Sequence, residues 1–188
     1  MFDLIIRGDQ VVTPQGTGAW DICITGETIA AIAAPGTFDD NQAGQVIDVT
    51  GKIVIPGGID PHIHSKWHIP AMEEGGEVSW TDGPDVVSKA AIHGGTTTLL
   101  DFANWQQSGT IEEVINVRKQ DWTDNCYTDY GYHIMLQGAV PPEILPQIGE
   151  AIQDGYPSIK IFTTDITPSR RGRKITHGHI WEIFKVLK

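Results

Sequence analysis

Cysteine is scarce in this sequence. The 188 residues hold two, Cys23 and Cys126, far apart along the chain. Two isolated thiols make neither a disulfide framework nor a zinc knuckle, and they fit a reducing, cytoplasmic setting. No apolar run approaches the ~20 residues that a membrane-spanning helix needs. The start, from Met1 to Gln10, lacks the basic opening and long apolar stretch of a secretion signal. Basic residues are outnumbered: 13 Lys and Arg stand against 24 Asp and Glu, a formal net charge of −11. That balance argues against general nucleic-acid binding, so neither nucleic acid nor membrane is an expected partner. One basic group, Arg170, Arg171, Arg173 and Lys174, reads as a solvated loop, with phosphate or carboxylate binding as the alternative. The G-x-S-x-G elbow, the P-loop and the G-x-G-x-x-G turn are all missing. Gly94-Gly95 precedes a strand and reads as a tight helix-to-strand turn.

The residues present divide the chain in two. Residues 1–55 read as short strands, among them Leu4 to Arg7, Asp21 to Ile24, Thr28 to Ile32 and Val46 to Val49, separated by Gly, Pro and Asn signals. They predict a small antiparallel sheet or the strands of a β-sandwich. From residue 56 to residue 188 strand-like and helix-like runs alternate. Strands are expected at Gly58 to His64, Thr96 to Phe102, Tyr130 to Leu136 and Ser158 to Thr163. Helices are expected at Pro84 to His93, from Thr110 to about Trp122, at Pro142 to Asp154 and at Thr176 to Leu187. Thr110-Ile111-Glu112-Glu113 is a capping box. This alternation is the signature of a parallel α/β sheet. Four such units are half of an eight-fold barrel, which takes about 250 residues. The fold is therefore an open four-stranded α/β sheet or the first half of a (β/α)8 barrel.

Asp60-Pro61-His62-Ile63-His64 is the sharpest feature. On a strand, alternate side chains share a face, so His62 and His64 point together, with Ile63 opposite. Two imidazoles so placed can bind one metal ion, at the strand end where parallel α/β folds keep their catalytic groups. A pair of partly exposed loop histidines is the competing reading. Gly57 and Gly58 are expected there for unusual backbone angles. Lys160 sits inside an apolar strand and needs compensation. A salt bridge is one solution. The other is addition of carbon dioxide to the neutral amine, giving a carbamate that can bridge two metal ions. His68, with Trp67, Met72 and Trp80, falls in a loop that can line a pocket, and Trp105 can add an apolar wall. His177 and His179 read as surface or capping residues.

These segments together, with Asp101-Phe102 and Tyr130-Gly131-Tyr132-His133, resemble the cyclic amidohydrolases: dihydropyrimidinase, D-hydantoinase and allantoinase. The resemblance covers the whole chain but only the N-terminal portion of that architecture. It implies a β-sandwich part followed by a metal-dependent hydrolase barrel that acts on C–N bonds other than peptide bonds. His62, His64 and a carboxylated Lys160 would hold two divalent ions, usually zinc. A metal-bridging hydroxide would open a cyclic amide such as a dihydropyrimidine or hydantoin. The general-base aspartate and two more histidines are expected beyond residue 188, so this chain by itself is expected to be incomplete and inactive. The complete protein would be a homodimer or homotetramer. Trp67, His68, Trp105 and Asp165 are the expected substrate contacts. Asp165 stands where hydantoinases carry a tyrosine. A carboxylate there repels a developing oxyanion, which points to a substrate with a donor or cationic group. The alternative is a non-catalytic dihydropyrimidinase-like scaffold, or an inert piece that needs a complementing chain.

Overall fold

The computed structural model describes residues 1–69, 76–165 and 171–188. The chain divides into two compact units, Met1–Pro56 and Gly57–Lys188.

The first unit is one sheet of five strands: β1 (Phe2–Thr13), β2 (Gly16–Thr25), β3 (Thr28–Ala33), β4 (Ala43–Asp48) and β5 (Ile53–Val54). The order is β3-β2-β1-β4, with β5 also on β1. β1, β2 and β3 form an antiparallel meander. The expected all-antiparallel sheet is corrected here, because β4 and β5 both run parallel to β1. A crossover carrying a 3-10 turn at Asp40–Gln42 returns the chain to the same end of the sheet. Ile5, Val11 and Cys23 are buried on this sheet. Burial, with help from nearby Asp21, pushes the Cys23 thiol up and keeps it protonated.

The second unit begins with β6 (Gly58–Asp60) and a short antiparallel pair, β7 (His68–Ile69) with β8 (Ser79–Trp80). Then follow α1 (Pro84–His93), β9 (Thr96–Trp105), α2 (Ile111–Trp122), β10 (Asp129–Leu136), α3 (Leu145–Gln153), β11 (Ile159–Ile161) and α4 (His177–Val186). The sheet runs β11-β10-β9-β6, all parallel, each strand beside its predecessor in the α/β series. Its elements follow from local chemistry. The Thr110 side chain accepts from the Glu113 amide (3.1 Å), and the Glu113 carboxylate accepts from the Thr110 amide (2.8 Å). That capping box starts α2 where expected. Ile111, Ile115 and Trp122 then share the face turned to the core. Pro146 has no amide proton, so the segment starting at Pro142 opens as a 3-10 turn, and α3 begins only at Leu145. β9 runs to Trp105, past the expected end at Phe102, because Ala103 and Trp105 continue the buried face.

Gly57 has a reason other than the expected one. Neither Gly57 nor Gly58 takes a positive φ. A Cβ on Gly57 would overlap the Thr97 side chain, so glycine is required for close approach of the segment to β9. Among the described residues, no helix is long and apolar enough to cross a membrane.

Candidate functional site

Strand β6 stops at Asp60, earlier than expected, yet the alternation survives beyond it. The Ile63 amide donates to the Leu100 carbonyl (3.1 Å), which keeps this stretch alongside β9. Ile63 packs on the core, and His62 and His64 lie on the other side. Their Nε2 atoms stand 3.3 Å apart. Two nitrogens each about 2.0–2.1 Å from one tetrahedral ion are separated by about 3.3–3.4 Å, so the pair fits a single divalent metal. A hydrogen bond between one protonated and one bare nitrogen fits the same separation.

Phe102, 2% exposed, is the platform beneath. His64 stacks on it at 4.9 Å between ring centroids, and His62 meets its edge at 4.8 Å. The Lys160 Nζ lies 5.3 Å from the same ring and 5.7 Å from Phe162. Lys160 and the imidazole pair therefore contact the same phenyl ring. It forms no ion pair among the described residues, so the salt-bridge alternative has no partner there. His64 is held below the usual imidazole range, first by burial, with Asp101 opposing and His62, Lys160 and Arg118 adding to the depression. A neutral imidazole is the metal-binding form.

Behind the pair lies a network that the sequence did not reveal. Asp101 is fully buried. Its carboxylate accepts from the Phe102 amide (2.7 Å), the Trp67 indole (3.1 Å), the Trp122 indole (3.2 Å) and the Arg118 guanidinium. Arg118 also donates to the Ser65 carbonyl (2.8 Å) and pairs with Asp121 (2.9 Å). Ser65 follows His64 directly, so α2 grips the backbone that presents the histidines. The one available signal was an aspartate inside an apolar strand, since a buried carboxylate requires donors.

The other expected residues separate. Trp67 packs edge-on against His64 at 4.4 Å and lines a cleft of about 310 Å³ with His68, Trp80, Phe102 and Asn104. Trp105 lies in the core, 1% exposed, its indole donating to the Gly109 carbonyl, and it forms no wall of that cleft. Asp165 accepts from the Gly172 and Lys174 amides (3.2 and 2.8 Å) and so closes its own loop. His179 contacts Thr176 at the start of α4 (3.3 Å). Met72 and Arg170 lie outside the described residues. Among the described residues no three His, Cys, Asp or Glu side chains converge as a metal-binding group. The donor set is two imidazoles with Lys160 nearby.

These features define a parallel α/β unit with an imidazole pair just past the C-terminal end of its first strand. No protein-family model matches the chain. The D-hydantoinase of Streptomyces coelicolor is 35% identical over 160 residues, which is 84% of this chain and 33% of that protein. The dihydropyrimidinase of Rattus norvegicus is 31% identical over 138 residues, 71% of this chain and 25% of that protein. The crystal structure of dihydropyrimidinase from Brevibacillus agri NCHU1002 matches 100% of this chain and 38% of its own, with TM-score 0.79 and 28% identity. Allantoinases occur among the curated matches as well. By sequence and by fold the chain is similar to hydantoinases, dihydropyrimidinases and allantoinases, over a portion of their length. It spans about a third of the length of the curated relatives it matches.

Proposed function

We propose that this chain supplies the first half of a (β/α)8 barrel, with part of a β-sandwich before it, in a metal-dependent hydrolase that opens a cyclic amide ring. The observation that carries this reading is the convergence of the two Nε2 atoms at 3.3 Å beside Lys160 on one phenyl platform. The names of the relatives support the substrate class, a hydantoin, a dihydropyrimidine or a related ring. His62 and His64 would hold a divalent ion, and a carboxylated Lys160 would contribute to the same centre, zinc being the expected metal. Such ions supply Lewis-acid polarisation of a carbonyl and a water that is acidic at neutral pH.

This chain's own residues do the rest. The neutral state of His64 leaves a nitrogen lone pair free at the pH of the cell. Arg118 and Asp101 keep the backbone after His64 from shifting. Trp67, His68 and Trp80 line the cleft next to the imidazole pair and accommodate the apolar part of a ring substrate. Asp165 accepts the Gly172 and Lys174 amides, and Trp105 acts through packing.

The test is metal analysis of the intact protein together with hydrolysis of dihydrouracil, hydantoin and allantoin. Bound divalent metal, with activity lost in His62→Ala, is the expected result. A metal-free protein, or His62→Ala as active as the parent, refutes the reading and leaves the non-catalytic scaffold.

A further inference from the structure

One imidazole in this region is not explained by metal ligation or by the core. His133 lies on β10, in register with Phe102 of β9, and their rings are 5.2 Å apart. Its Nε2 is 2.8 Å from the Pro61 carbonyl, and its Nδ1 is 2.6 Å from the Ser158 hydroxyl. A carbonyl oxygen can only accept, so Nε2 carries the proton and donates to Pro61. In the neutral ring Nδ1 is then the acceptor, and the Ser158 hydroxyl donates to it.

The two partners are informative. Pro61 immediately precedes His62, and its carbonyl belongs to the peptide unit whose amide is His62 N–H. That amide donates to Asp60 Oδ1 (3.1 Å). The planar unit is thus held at both ends, by Asp60 on N–H and by His133 on C=O. Ser158 stands two residues before Lys160. Its carbonyl accepts from the Ile134 amide (2.9 Å), which begins the pairing that sets Lys160 opposite Met135. One rigid ring, carried on β10, therefore links the segment carrying His62 and His64, which lies beyond β9, to the strand carrying Lys160, β11.

We propose that His133 is a positioning residue for the centre: through Nε2 on Pro61 and Nδ1 on Ser158 it fixes the spacing between the histidine pair and Lys160. The proposal rests on the reading that these three residues hold divalent metal. Side chains that orient ligands in this way typically contribute about 10- to 100-fold to metal affinity.

The experiment uses the full chain freed of metal. Zn²⁺ affinity is measured by competition with a chelator, the visible absorption of the Co²⁺ form is recorded, and thermal unfolding is followed in parallel. His133→Asn keeps a polar group near Ser158 but is too short to reach Pro61. His133→Gln extends an amide donor to the position of Nε2. We expect ~10-fold or weaker Zn²⁺ binding and altered Co²⁺ bands for His133→Asn. His133→Gln should restore most of both, with little change in the unfolding midpoint of either variant. Parent-like binding by His133→Asn overturns the proposal. So does an equal loss in both variants, which would mean that the ring merely fills space. Should His133→Asn fail to fold, Ser158→Ala tests the other contact: a smaller loss in the same direction supports the proposal, and unchanged affinity refutes it. Failure of the underlying reading looks different: the parent binds no Zn²⁺, or His62→Ala binds it as tightly as the parent.

Discussion

In the strand-rich unit, Asp3, Asp9 and Asp48 lie on the surface, and each carboxylate accepts a backbone amide at a turn: Gly26 (2.6 Å), Gly51 (2.9 Å) and Thr50 (2.9 Å) respectively. In the α/β unit, Asp101 lies out of reach of water and collects two indoles, an amide and a guanidinium. The residue type is the same, and the surroundings decide what it does. At the surface a carboxylate replaces water as the partner of a turn amide, and little free energy changes. In the interior the two indoles have no other acceptor among the described residues, so removal leaves them desolvated and unpaired, while Arg118 is left with Ser65 and Asp121 alone. Asp21 falls between: it is buried, but its contacts are longer, 3.3 Å to the Gly36 amide and 3.7 Å to Arg7.

This contrast sets a ranking. Asp101→Ala should cost about 3–5 kcal/mol in denaturant unfolding, since Arg118 and two indoles lose their acceptor together. A loss below ~1 kcal/mol would break the comparison, because that is the scale of a surface contact. Asp21→Ala should cost less, about 1 kcal/mol, because the Gly36 amide is exposed to water and Arg7 keeps the Phe38 carbonyl and Asp40. The smallest effect concerns Asp48. Its carboxyl is held below the ordinary carboxylate value, mainly by the Thr50 hydroxyl and then by the Thr50 amide. A depressed carboxylate contributes stability that is present above the ordinary value and is lost as pH falls through the lowered one. Thr50→Ala should raise the titration midpoint of Asp48, read by NMR, and weaken this acid-side dependence. An unchanged midpoint would show that the backbone amide alone sets it.

The same contrast explains what could be read from the sequence. His62, Ile63 and His64 declare themselves through a two-residue period, and the period holds past the end of β6 because the apolar Ile63 is drawn to the core. Lys160 is conspicuous as a cation inside an apolar run. Asp101 and Arg118, by contrast, sit on a strand and a helix and meet only when the helix packs down, so no local spacing records their pairing. The parallel placement of β4 on β1 was hidden for a related reason. Strand direction is set by how the connection crosses over, whereas composition records only that a strand exists. Trp105 and Asp165 were visible as residues, but the partners that occupy them, the Gly109 carbonyl and the Gly172 and Lys174 amides, come from loop geometry.

Phe102 carries a consequence of its own. A phenyl ring has no proton to lose and no net charge, yet it is the surface on which His62, His64, His133 and the Lys160 amine are arranged. An arrangement braced by an uncharged disc, with its supporting Asp101–Arg118 pair buried, is screened far less than the exposed ion pairs, so added salt that loosens Lys185 and Glu182 should shift these nitrogens little.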